Sequence, residues 1–131
     1  MFPKSCLGSR FNSLSAIAGA VINVSEVVLS VGQTQLYVAD RPINSIFLSA
    51  SAAESISDIA GGRNGYLLFV ISMDDNVTIE CDATKIMLNS APAGTDLVLA
   101  QYDVLALINY GGNPDILVNG YWQEIFRTIK V

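Results

Sequence analysis

Turn-forming clusters punctuate this chain about every 8–12 residues, and almost no interval between them carries an apolar period of 3.6. Arg63-Asn64-Gly65 and Asp74-Asp75-Asn76 bracket Tyr66–Ser72, which reads YLLFVIS. That run has the length of a strand and no polar face, so it demands burial on both sides. Val21–Val31 is rich in β-branched residues and predicts a first strand, with Gly32-Gln33 as the turn and Thr34–Ala39 as the returning strand. Ile43–Ser49, Val77–Cys81, Lys85–Asn89, Leu97–Gln101, Asp103–Asn109 and Tyr121–Ile129 follow as strands, with a short one at Ile116–Val118. Ser49–Ala60, serine-rich and followed by Gly61-Gly62, reads as a loop. The pattern predicts an all-β fold: a compact antiparallel β-sandwich or barrel-like domain over residues 21–131, preceded by an extended N-terminal arm over residues 1–20.

The arm has features of a secretory leader. Lys4 and Arg10 precede the apolar run Leu14–Val24, and Ala18-Gly19-Ala20 offers small residues. Ser15 and Asn23 interrupt the run and Glu26 follows it, which favours a surface arm or first strand. The run is about half the ~20 residues that span a bilayer, so no membrane role is expected.

Charge excludes several functions. Seven basic residues against twelve acidic ones give a net charge of −5, and Lys4, Arg10, Arg41, Arg63, Lys85, Arg127 and Lys130 never cluster. Binding to a nucleic-acid backbone needs a basic stripe, and none is written here. There is no histidine, which removes Ser-His, Cys-His and His-metal chemistry from this chain. Hydrophobic residues make up 51% and charged ones only 15%, against ~25% charged in an average domain. A chain of 131 residues has more surface than this charge can cover, so extra burial in a subunit interface is expected.

The remaining chemistry is sparse. Asp74, Asp75, Glu80 and Asp82 lie close in sequence and are the candidates for a cation site or a carboxylate pair. They lack the mid-loop glycine and closing glutamate of a calcium loop, and a solvated turn explains them as well. Gly61–Gly65 has glycines but neither a following lysine nor a helix, so it does not read as a phosphate loop. Cys6 and Cys81 read as reduced thiols, with a single bridge between them as the alternative. No catalytic residue, metal or cofactor is expected. Tyr121 and Trp122, beside Asn119-Gly120, are candidates for a glycan-stacking platform; the competing reading is that Trp122 plugs the core.

Ile43–Thr128 carries an ordered set of short motifs. Gly65-Tyr66-Leu67-Leu68-Phe69-Val70 is followed by Val77-Thr78-Ile79 and Ile86-Met87-Leu88. Asp103–Ile108 comes next, and Trp122-Gln123-Glu124-Ile125-Phe126-Arg127-Thr128 closes the set. This stretch resembles a module of tailed-bacteriophage virion proteins, of the decoration, cement, head-fibre or tail-fibre kind. It departs from that pattern at Tyr102, where glycine is usual, and in the long insert Gly111–Gly120. The resemblance implies a homotrimer, assembled in a host cytoplasm and resident on the virion, whose partners are itself and the major capsid or other virion proteins. A fibre-tip domain that binds host glycans is the alternative function.

Interface candidates follow from strands that are apolar on both faces: Leu68, Val70, Leu105, Leu107 and Phe126. Strict alternation in the last strand places Trp122, Glu124, Phe126 and Thr128 on one face and Gln123, Ile125 and Arg127 on the other. Glu124 and Arg127 are then not expected to pair across one face.

Overall fold

The computed structural model describes residues 22–129, so the expected arm and Cys6 lie outside the described residues. The chain is all-β, with eleven short strands among the described residues: β1 Ile22–Leu29, β2 Gln35–Tyr37, β3 Ile43–Ala50, β4 Glu54–Ile56, β5 Asp58–Ala60, β6 Leu67–Ser72, β7 Val77–Ile79, β8 Ile86–Met87, β9 Leu97–Leu99, β10 Val104–Tyr110 and β11 Tyr121–Thr128. The largest sheet has six strands in the order β1-β3-β6-β10-β11-β8. The pair β2-β5 and the triplet β4-β7-β9 form two smaller sheets, a second layer only in that their buried side chains join the same core as those of the large sheet.

The expected antiparallel arrangement holds only for β6-β10-β11 and β7-β9. β1, β3 and β6 run parallel, as do β2-β5, β4-β7 and β11-β8. Parallel neighbours need a crossover. Here strands make it: β2 lies between β1 and β3 in sequence, and β4 and β5 lie between β3 and β6. The Gly32-Gln33 turn therefore does not fold a hairpin. Gly32 N–H donates to the Glu54 carboxylate at 3.0 Å and Ser57 N–H to Thr34 O at 2.8 Å, holding the turn against the second layer.

Two local expectations fail for a similar reason. The segment expected as a loop contains β4 and β5, whose Ile56 and Ile59 are fully buried. Each strand is three residues long with one core side chain, and the serines around Ile56 and Ile59 and the following Gly61-Gly62 hide it behind loop chemistry. The strand expected at Ile116–Val118 is instead a 3-10 turn over Pro114–Ile116, started by the Asn113 side chain accepting from Asp115 N–H. It ends at Leu117 in the left-handed region, φ 58°.

The core lies between the layers. Ile46, Leu48, Leu68, Val70, Leu105, Leu107 and Trp122 face it from the large sheet, and Leu36, Ile56, Ile59, Val77, Ile79 and Leu99 meet them. Burying side chains of this size contributes ~1.5–3 kcal/mol each before entropy is charged against it. Trp122 spans the two layers, its indole N–H donating to Ile59 O at 3.2 Å. Gly62 packs so closely on that ring that a Cβ there would also lie 3.0 Å from Asn109 Nδ2.

Candidate interaction surface

One irregularity decides which side chains the large sheet presents outward. Along the β10–β11 ladder Ala106 faces Phe126 but Leu107 faces Glu124, so Ile125 is an extra residue in β11. A β-bulge of this kind reverses the alternation beyond it. Trp122 and Glu124 lie on the core face, and past the bulge so does Arg127, opposite Leu105. Phe126 and Thr128 are turned to the outer face.

The bulge has an electrostatic companion. Arg127 donates to Glu124 through Nε and Nη2, both at 2.7 Å, although Glu124 is only 4% exposed. Asn89 N–H donates to the same carboxylate at 2.8 Å. Burial by itself raises the Glu124 carboxyl, but the hydrogen bonds from Arg127 and Asn89 and the Arg127 charge outweigh it and leave the group below its ordinary value.

On the outer face, Ala106 sits between Phe69 of β6 and Phe126 of β11, its partners in register. The two rings lie 6.3 Å apart and tilted, and Ala106 beneath them is fully buried. Ile43 and Phe47 of β3, Leu67 and Ile71 of β6, and Val104 and Ile108 of β10 continue this face, each half-buried. Val24 and Val28 extend it onto β1 and stand 61% and 69% exposed. The second layer contributes its buried residues to the opposite side, so no described strand covers this one. Five adjacent strands therefore present a largely apolar surface, interrupted by Ser45 between Val24 and Phe69 and bordered by Glu26, Ser49 and Thr128.

Two further features mark the ends of that sheet. Where β1 and β3 end, Glu26, Val27, Val28, Phe47, Ser49 and Met73 line a groove of about 350 Å³. Where β3 and β6 begin, the loop between β10 and β11 projects Ile116 and Leu117, 68% and 89% exposed. Arg63 stiffens that end. Its guanidinium binds Asp40 at 2.8 and 2.9 Å and Asp115 at 2.9 and 3.1 Å, joining three loops. Hydrogen bonds from Arg63 and from the Tyr66 hydroxyl lower the Asp40 carboxyl to about 2.

The structure sorts the residues singled out from sequence. Leu68, Val70, Leu105 and Leu107 are fully buried inside the chain and cannot meet a neighbour; they are core residues. Both faces of β6 and β10 are apolar, and the sequence holds no sign of which one the second layer covers. Phe126 alone of the five is exposed, at 47%, and the bulge puts it there. The outer residues Phe47, Phe69 and Ile71 were not among the candidates, although strict alternation from Leu68 and Val70 locates the last two. Trp122 is fully buried and cannot stack on a sugar, while Tyr121 stacks instead on Tyr110 with ring centres 5.3 Å apart.

The acidic residues are not gathered. Asp74 accepts from the backbone of Ala50 and Asn76, Asp75 from Gln101 and Asp82 from Thr84. No cluster of three potential metal ligands exists among the described residues. Cys81 is a half-buried free thiol. Among the described residues no helix is long and apolar enough to cross a membrane. At Tyr102 the backbone adopts φ 70°, the left-handed conformation that favours glycine. No protein-family model, curated protein or solved structure matches this chain.

Proposed function

We propose that this chain is a structural virion protein of a tailed phage: a homotrimeric capsid decoration, cement or short fibre subunit that stabilises the particle without catalysis. The observation that supports it is the outer face of the six-stranded sheet, largely apolar over five strands with no described strand over it. A charge content of 15% suits a domain that hides this face in an assembly. The sequence resemblance over Ile43–Thr128 supplies the virion setting and the number three. The major capsid protein or a neighbouring virion protein is the remaining partner in this reading.

Light scattering on the full chain tests it. The expected mass is three times the 14.0 kDa of one chain. Phe126→Asp puts a charge on the outer face at an exposed position and is expected to yield folded monomer. A wild-type chain that stays monomeric across the accessible concentration range removes the trimer reading.

A further inference from the structure

The two ends of the large sheet are complementary. One end carries an apolar projection, Ile116-Leu117-Val118, held rigid by the Arg63 pairs and by Asn113. The other carries the groove between Val28, Phe47 and Met73. Charge matches as well. Arg41, exposed in the loop that Asn44 holds by a 3.0 Å bond to Arg41 O, makes no salt bridge among the described residues and acts on Asp40 only at longer range. Glu26, exposed in the groove wall, likewise makes no salt bridge among them. Projection and groove cannot meet within one chain. From Ile43 to Ser49 the sheet runs roughly 20 Å at ~3.3 Å per residue, and both features are built on that one sheet.

We propose that the Ile116–Val118 projection of one copy docks in the Glu26–Met73 groove of a second copy, with Arg41 of the first facing Glu26 of the second. The contact is head-to-tail and closes into a ring when the rotation between copies permits. The strands of successive copies then run around the axis instead of along it. Leu117 supplies independent support for a contact role. A leucine held at φ 58° and almost wholly exposed carries backbone strain with no packing inside its own chain to repay it. This inference rests on the self-assembly reading and adds an end-to-end contact to the outer face on which that reading stands.

Disulfide trapping and charge reversal test it in the full chain. In a Cys6→Ser, Cys81→Ser background, Leu117→Cys and Ser49→Cys chains are mixed and mildly oxidised. A covalent dimer containing one of each is expected, with neither variant linking to itself. Arg41→Glu and Glu26→Arg are each expected to weaken assembly about threefold, as an exposed ion pair allows, and the two together to restore it. Leu117→Asp, at an exposed site, is expected to weaken it by about a hundredfold with an unchanged circular dichroism spectrum. An assembly of unchanged size that shows neither cross-link nor charge rescue overturns the head-to-tail contact and leaves self-assembly standing. Leu117→Cys linking to itself overturns it in favour of a symmetric contact. A monomer under all conditions overturns both readings.

Discussion

Arg127 and Glu124 share a face of the same strand three residues apart, which an unbroken strand forbids, and they meet through two 2.7 Å bonds. The extra residue Ile125 makes the pairing possible. The same displacement turns Phe126 outward onto Phe69. One bulge thus seals the edge of the core with an ion pair and builds an apolar outer face.

Removing the cation leaves a nearly buried carboxylate with only the Asn89 amide and solvent to stabilise it. Arg127→Ala is expected to cost about 2 kcal/mol in urea unfolding at neutral pH, below the 3–5 kcal/mol of a fully buried pair because Arg127 is partly exposed. Glu124→Gln, which keeps the shape and loses the charge, is expected to cost less. A larger loss from Glu124→Gln than from Arg127→Ala contradicts this account.

Stability is expected to fall on acidification. Glu124 is lowered from an ordinary value of 4.5, and Asp40, Asp82 and Asp115 are lowered from 3.8, Asp40 to about 2. Lowered carboxyls contribute stability that is present above their unfolded values and disappears as pH falls through the folded ones. The urea midpoint is therefore expected to hold down to about pH 5 and to decline towards pH 2. Arg63→Ala, which releases Asp40 and Asp115, is expected to flatten part of that decline.

Gly62 has no room for a side chain. A Cβ there drives into the Trp122 ring. Gly62→Ala is expected to destabilise the chain by about 2–3 kcal/mol through overpacking. Trp122 is the sole tryptophan, so its emission reports the damage directly. A red shift in the folded variant is expected, because the ring must leave its dry site between the layers.

Leu117 offers the opposite sign. Asparagine tolerates the left-handed region better than leucine, so Leu117→Asn is expected to raise the stability of the isolated chain by about 1 kcal/mol. The same change removes the apolar tip. Thermal unfolding and light scattering together should show a firmer chain that assembles less well.

Much of this was legible in local residue order. The turn clusters and β-branched runs locate every strand except β4 and β5 within a residue or two, because each is bracketed by turn chemistry. Trp122 as a core plug was legible as one of two readings. β4 and β5 were not, since the serines of Ser49–Ala60 and the Gly61-Gly62 after them carry loop chemistry and their pairing partners are distant: β5 with β2 and β4 with β7. Four of the five interface candidates, Leu68, Val70, Leu105 and Leu107, are core residues, for a more instructive reason. Leu68 and Phe69 are equally apolar neighbours, and only the position of the second layer separates core from surface.

By itself, then, the residue order determined an all-β chain of low charge, without histidine, with more apolar surface than one core absorbs. Those properties follow from side-chain chemistry and local backbone preference, which act over a few residues. Only the tertiary structure decided which face of each strand is buried, that β1, β3 and β6 run parallel, and that Phe126 points outward while Arg127 points in. These depend on pairings between distant strands and on a single extra residue in one ladder. A shift of one position in a period of two moves every later side chain to the opposite face.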